Sequence, residues 1–152
     1  MFTEYTGNRQ FDLQLNRTFA PILDRVGMDT IATTTLPNIR STKQITALAH
    51  SLAERFSSEG DADAAWRLYE LAAFYLGADD PHKRSFIDAM SASFDEAHSG
   101  LAFTRHAVPY RGGELTAMRW EADSTDRAQA PEGTPRTLIM MNGFDGYAEE
   151  II

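Results

Sequence analysis

The sequence predicts an α/β fold in which a helical N-terminal region precedes the start of a sheet domain. Three amphipathic helical patterns occupy residues 41–100, and the apolar period then changes to that of an antiparallel hairpin. An apolar strand followed by a glycine-bearing turn lies at residues 136–152. We therefore place a helical region at 1–100 and the start of an α/β domain at 101–152.

Residues 1–40 carry a weaker helical pattern. Apolar residues recur there with helical spacing, and they are Leu15, Phe19, Ile22, Leu23 and Val26. Pro21 interrupts this spacing, so we expect one kinked helix or two short ones. Residues 30–39 contain a proline and are expected to form an irregular connection.

The first strong helix follows a capping box, in which Ser41 bonds an amide of the first turn and Gln44 reaches back. Its apolar stripe ends before Gly60 and consists of Ile45, Leu48, Ala49, Leu52 and Phe56. Either Asp61 or Asp63 caps the second helix, which is apolar nearly all round. We expect this second helix to be central in a helical layer and Gly77 to be its C′ residue.

Asp80 and Pro81 predict the start of a third helix, with the aspartate as N-cap and the proline at the first helical position. Its predicted buried face contains Phe86, Ile87, Met90, Phe94 and Ala97. Two strands at 102–110 and 114–122 are then joined at Arg111-Gly112-Gly113, where glycines favour a hairpin turn. After a polar loop, residues 137–141 are expected to form a strand buried on both faces.

Composition excludes several classes of function. The net charge of −8 argues against nucleic acid or an anionic membrane as a partner. The chain has no cysteine, which removes disulfides and zinc–thiolate sites. No signal peptide and no apolar run long enough for a membrane span is present, so we expect a cytoplasmic protein. The histidines lack metal-ligand spacing, and we expect neither a metal nor another cofactor.

The turn at residues 142–146 is the main candidate for chemistry. It joins a predicted strand to a predicted helix, where backbone amides aligned with the helix N-terminus can bind a developing oxyanion. The alternative is that Gly143 and Gly146 serve only the turn conformation. Asp145 is a candidate for contact with a substrate or for stabilising the turn, although an aspartate at such a position is more often an ordinary N-cap.

Other clusters have structural interpretations. The acidic residues Asp61, Asp63, Asp79 and Asp80 are interpreted as helix caps. The aromatic group is more typical of helix packing than of a ligand cage, and it consists of Trp66, Tyr69, Phe74 and Tyr75.

Two stretches resemble a known family. Residues 64–97 resemble the helical segment of an α/β-hydrolase branch that includes dihydroxypseudooxynicotine hydrolase, fungal polyketide-shortening hydrolases and fermentation-respiration switch proteins. The pattern is an aromatic-rich helix, a short turn with Asp80-Pro81, and a basic residue, Lys83. The second stretch, VPYRGGELTAMRW followed by TLIMMNGFDGYAEE, resembles the first hairpin of that family and the strand leading to its oxyanion-hole loop.

The resemblance implies an α/β-hydrolase fold with a helical cap over the active site. It implies that 136–142 is the third strand of the sheet and that the backbone N–H of Phe144 is an oxyanion-hole donor, with Gly143 allowing close approach. Asp145 and Tyr147 are the candidate substrate-binding residues. The family's serine nucleophile and its later Asp and His come after this point in the chain, and this sequence lacks the GxSxG motif.

Two functions follow as expectations. In the first, the chain is the N-terminal portion of a serine-type hydrolase acting on an ester or on a carbon–carbon bond next to a ketone, and is inactive alone. Its partner would be a small-molecule substrate bound by the full-length protein. In the second, it is a non-catalytic helical interaction module. Exposed strand edges and cap helices are both compatible with a homodimer.

Overall fold

The computed structural model describes residues 2–120, 139, 140, 147 and 149. The chain divides into two compact units, Met1–Ala97 and His98–Ile152. The first is helical and the described part of the second contains an antiparallel hairpin. No helix in these described ranges combines the length and the apolar composition needed to cross a membrane.

The N-terminal segment is fixed to helix α1 (Arg9–Phe19) by polar contacts. Asn8 caps the helix by accepting from the amides of Gln10 and Phe11. The Asp12 carboxylate is only 1% exposed and accepts from both the backbone N–H and the hydroxyl of Thr6, each at 2.8 Å. The residues before α1 are therefore held against it by a buried charged acceptor.

Residues 20–39 form a chain of short helical turns. A 3-10 turn at Ala20–Ile22 is followed by α2 (Met28–Thr30), a π-helical segment at Ile31–Thr35 and a 3-10 turn at Leu36–Asn38. The expectation of an irregular connection at 30–39 was wrong. The Thr33 and Thr34 hydroxyls donate to carbonyls four residues earlier, a bond that threonine commonly makes inside a helical turn. Val26 is 88% exposed, so it does not belong to the predicted apolar stripe.

Helix α3 (Thr42–Glu59) begins with the predicted capping box. The amide of Gln44 donates to the Ser41 hydroxyl, but the Gln44 side chain accepts from the amide of Arg40 rather than that of Ser41. Gly60 ends the helix with φ 78°, a left-handed conformation that glycine adopts without a steric penalty. The buried face consists of Ile45, Ala49, Leu52, Ala53 and Phe56, whereas the predicted Leu48 is half-buried.

Helix α4 (Ala62–Phe74) is capped by Asp61, whose carboxylate accepts from the amide of Ala64. It packs against α3, α5 (Pro81–Ala97) and α1. Most of its residues are buried, in agreement with a central position in the helical unit. The Trp66 ring meets the Phe94 ring of α5 edge-on, with 5.4 Å between their centres.

The end of α4 differs from the prediction. The helix ends at Phe74 with Tyr75 as C-cap, and Gly77 does not have a positive φ. The ammonium group of Lys83 donates to the Leu76 carbonyl at 2.7 Å, which gives this carbonyl a partner just after the helix. Helix α5 then starts at Pro81, as predicted. Its buried residues include Phe86, Met90 and Phe94, but Ala97 is exposed.

The hairpin consists of β1 (Phe103–Tyr110) and β2 (Gly113–Trp120), paired antiparallel with Tyr110 opposite Gly113. The positive-φ residues are Arg111 (49°) and Gly112 (81°), whereas the prediction gave this role to the glycines. Positive φ at both positions of a two-residue loop is what a type I′ turn requires, and it matches the twist of the strands. Gly113 is consequently the first residue of β2.

The predicted strand at 137–141 is described at two residues. Ile139 and Met140 are 80% and 52% exposed and lie outside any strand, so the prediction of a strand buried on both faces was wrong at these residues. A doubly buried strand needs a neighbour along each edge and a layer on each face. In the described ranges, the sheet contains β1 and β2 alone.

Asp12→Ala should lower the free energy of unfolding by about 3 kcal/mol, because it removes two hydrogen bonds to a buried charged acceptor. Chemical denaturation of the full chain measures this difference. The control is Asp88→Ala, which removes the exposed ion pair to Arg84 (2.9 Å) and should cost ~0.5 kcal/mol. Equal losses in the two variants would show that the Asp12 contacts contribute no more than a surface ion pair.

Candidate functional site

The predicted oxyanion loop lies outside the described residues, and this applies to Gly143, Phe144 and Asp145. Two residues directly after the loop are described. Tyr147 is half-buried, and Glu149 is 5% exposed and lies in a 3-10 helical turn. The structural setting of the candidate site is therefore defined by the residues that follow the loop.

Glu149 forms a buried ion pair with strand β1. Nη1 of Arg105 donates to Oε1 of Glu149 at 2.7 Å, and the side chains are 23% and 5% exposed. The Arg105 guanidinium also lies 5.8 Å from the centre of the Phe103 ring, within the range of a cation–π contact. A charge-assisted bond of this kind fixes the Glu149 side chain to strand β1.

Sequence reasoning missed both members of this pair. One signal was present for Arg105, because it lies two residues after Phe103 and therefore on the same face of an alternating strand. Glu149 lies where the sequence predicts the first turn of the helix after residues 142–146, and acidic residues are common at such positions. The pairing itself joins residues 44 positions apart, and local patterns do not reveal such a contact.

A second cluster of titratable groups joins three helices of the first unit. The Tyr69 hydroxyl of α4 donates to the Glu54 carboxylate of α3 at 2.5 Å, and Nε2 of His50 lies 3.6 Å from the same carboxylate. The His50 ring stacks on Phe86 of α5, with 4.6 Å between ring centres. Burial, followed by the hydrogen bond to Glu54, raises the pKa of Tyr69 to about 12. Tyr69 is thus a neutral hydrogen-bond donor at physiological pH.

Only some of the aromatic residues that were predicted to pack between helices are buried. Trp66 and Tyr69 are buried, whereas Phe74 and Tyr75 are half-buried. The Tyr75 ring contacts Phe74 and Phe11, and burial raises the pKa of its hydroxyl. Both contacts are edge-on, with ring centres 6.0 Å apart for Phe11 and 4.9 Å apart for Phe74.

The acidic residues 61, 63, 79 and 80 have separate roles. Asp61 and Asp80 cap helices, as predicted, and Asp80 accepts from the amide of His82 at 2.9 Å. Asp63 instead accepts from the indole of Trp66 and from Arg67, while Asp79 is exposed. Asp61 also receives a 2.8 Å bond from Arg25.

A hollow of about 430 Å³ lies beside these acidic residues and is lined by Glu59, Gly60, Asp61, Ala62, Asp63, Glu96 and Ala97. Arginines pair with three of its four carboxylates, since Arg55 lies 3.8 Å from Glu59 and Arg25 contacts both Asp61 and Asp63. In the described ranges, no three or more His, Cys, Asp or Glu side chains form a group that could hold a metal ion.

Comparison of the chain with protein-family models, with curated proteins and with solved structures gave no match.

Glu149→Ala should reduce the stability of the hairpin against opening by about 3 kcal/mol, because it leaves the guanidinium of Arg105 partly buried without its carboxylate. Hydrogen exchange of the β1 amides measures this stability. Glu114→Ala is the matched control, since Glu114 is an exposed acidic residue of β2, and its effect should stay below ~0.5 kcal/mol. Unchanged β1 exchange in Glu149→Ala would contradict the anchoring role.

The raised pKa of Tyr69 predicts a loss of folding stability at alkaline pH. Its pKa is raised from 10.0 to about 12, so its contribution is complete below pH 10.0 and is lost as the pH rises through about 12. Unfolding free energy should therefore fall more steeply over this range in the wild type than in Tyr69→Phe. Tyr110→Phe, which changes a tyrosine that is 52% exposed, should follow the wild type. If the unfolding free energies of wild type and Tyr69→Phe depend on pH in the same way, this prediction is wrong.

Proposed function

We propose that the chain is the N-terminal portion of a serine-type α/β hydrolase, with the helical unit as cap and residues 142–146 as the oxyanion-hole loop. The substrate class is an ester, or a carbon–carbon bond next to a ketone. The proposal rests on the resemblance of residues 64–150 to that family, and the order of helices followed by a hairpin agrees with it.

The observation that supports the site most directly is the Arg105–Glu149 ion pair. An oxyanion hole lowers the reaction barrier only when its donors are fixed before charge develops on the substrate. Glu149 follows the predicted loop by three residues, and its bond to β1 would hold that end of the loop in place. The pair would thus pre-organise the amide of Phe144 without touching the substrate.

In this proposal the sheet has further strands. The resemblance implies a fourth strand between the second and the third, so that β2 would lie inside the sheet rather than at its edge. The serine, aspartate and histidine that perform the reaction would come from the sequence after Ile152. The chain by itself is then expected to be without esterase activity.

The experiment has two steps. The nucleotide sequence after the codon for Ile152 should continue in frame into a GxSxG motif and later Asp and His residues. The longer protein should hydrolyse p-nitrophenyl esters, and a serine-reactive phosphonate should abolish this activity. A stop codon with no such reading frame after it would contradict the proposal.

The role of Phe144 is tested by a pair of variants of the longer protein. Phe144→Pro removes the backbone N–H and should lower kcat by about 10²–10³-fold, the usual effect of losing one oxyanion donor. Phe144→Ala keeps the amide and should retain most of kcat. If both variants lose activity equally, the side chain rather than the amide carries the function of this position.

A second function, a non-catalytic helical interaction module, is favoured by one observation. Residues Met1–Ala97 form a compact unit with its own buried core, which includes Phe19, Phe56 and Phe94. This function predicts that residues 1–97 fold cooperatively when expressed alone. It also predicts that no variant at Phe144 affects any activity of the protein.

A further inference from the structure

The hairpin has two outer edges that differ in their capacity to pair with another strand. In antiparallel strands, hydrogen-bonded pairs alternate with pairs whose backbone groups point outward. The pair flanking the two-residue loop, Tyr110 and Gly113, is the hydrogen-bonded kind, so the next pair, Pro109 and Glu114, points outward. A proline is compatible with an outward-facing position in β1 because it has no N–H to donate to β2.

The outer edge of β1 is blocked by this proline. Its outward-facing residues are Phe103, Arg105, Ala107 and Pro109, and the last of these offers no donor. Proline on an edge strand is one of the devices by which proteins prevent edge-to-edge association. β1 is therefore protected against a further strand.

The outer edge of β2 has no such protection. Its outward-facing residues are Glu114, Thr116, Met118 and Trp120, each with a backbone donor and acceptor. The sequence of β2 contains no proline and no lysine, and Glu114 at one end is the single charge among these four residues. In the described part of the chain, β2 pairs with β1 alone. We call this row of groups the β2 edge.

We propose that the β2 edge is an interface between two copies of this chain, in which β2 pairs antiparallel with the partner's β2. The inference concerns the 152-residue chain by itself, and it uses the edge that a fourth strand would occupy in the proposed hydrolase.

The two-fold symmetry of the pairing follows from the positions of the outward-facing residues. They are symmetric about Ala117, so that Thr116 lies opposite the partner's Met118 and Glu114 opposite the partner's Trp120. In this register every outward-facing residue of β2 finds its partner within β2. Four such pairs with two hydrogen bonds each would give about eight bonds across the interface.

The side chains are compatible with this register. Arg119 would lie opposite the partner's Leu115 and Glu114 opposite the partner's Trp120, so no like charges face each other. Ala117 would meet the partner's Ala117 at the two-fold axis, where a small side chain allows close approach. Leu115 is 54% exposed and would gain cover from the aliphatic stem of the partner's Arg119.

The pairing would also extend the sheet, which has two strands in the described part of the chain. An isolated hairpin is marginal in water, and three or more strands are usually needed for independent stability. Exposed apolar residues on one face of this hairpin include Val108, Tyr110 and Leu115. Pairing through β2 would produce a four-stranded antiparallel sheet, with the proline-bearing β1 strands at its two outer edges.

The test is the concentration dependence of the mass of the full chain, measured by sedimentation equilibrium. Wild type should pass from monomer to dimer as its concentration rises. Thr116→Pro removes an outward N–H, and symmetry removes it twice, so the dimer Kd should rise at least about tenfold. The ladder to β1 should survive because Thr116 lies in an outward-facing pair.

Ala107→Pro is the matched control, since Ala107 lies directly opposite Thr116 and faces outward from β1. It introduces the same residue into the same hairpin but leaves the β2 edge intact, so dimerisation should be unchanged. Circular dichroism checks the folding of both variants. If Thr116→Pro fails to fold, Thr116→Lys takes its place, because an edge lysine opposes strand addition without altering the backbone.

Hydrogen exchange supplies a second readout. In the dimer, the amides of Thr116 and Met118 should become protected, while that of Ala107 should remain unprotected. The proposal is overturned if the wild type stays monomeric at every concentration. It is equally overturned if Thr116→Pro and Ala107→Pro have the same effect, or if a dimer forms without protection of the Thr116 and Met118 amides.

Discussion

Burial of helix α4 is the constraint on which the N-terminal unit depends. Helix α4 packs against α3 and α5, and its buried residues combine bulky side chains with alanines 64, 65, 72 and 73. Small side chains allow neighbouring helices to approach closely, and Leu68 and Trp66 fill the remaining space. Glu70 of the same helix is 7% exposed and is paired with Arg17 of α1 at 3.1 Å. The position of α1 is therefore also set by α4.

Helix starts were predictable because their signals are local. The Ser41 capping box, the Asp61 cap and the Asp80-Pro81 start each satisfy amides within three or four residues, and the structure has helices starting at all three. The end of α4 was not predictable in this way. The Leu76 carbonyl is satisfied by Lys83 from the next helix, and this bond depends on how α5 folds back. The helical turns at 30–35, in which threonine hydroxyls bond backbone carbonyls, were missed because β-branched polar residues are typical of connections.

Prediction from local sequence patterns is more limited still at the candidate site. The sequence pattern predicts a turn with backbone amides at 142–146, but Glu149, which follows this turn, is bound by a residue from elsewhere in the chain. Arg105 lies in a strand that precedes Glu149 by 44 positions. A single sequence indicates that a segment is a strand and which of its residues share a face. The identity of the residues that it packs against depends on packing across the whole unit. Local reasoning therefore predicts a turn at 142–146 but could not predict that Arg105 binds Glu149.

The proposed hydrolase sheet and the proposed dimer both use the β2 edge. The hydrolase sheet implied by the resemblance places a fourth strand against β2, whereas the dimer places a second copy there. One row of backbone donors and acceptors pairs with only one strand at a time, so the two assemblies exclude each other. Completion of the sheet would then abolish dimerisation through β2 in a longer protein. The proline of β1 remains on an outer edge in the dimer, while an extended sheet adds its new strands beyond β2. Pro109 is thus compatible with both assemblies, and in each it directs association to β2.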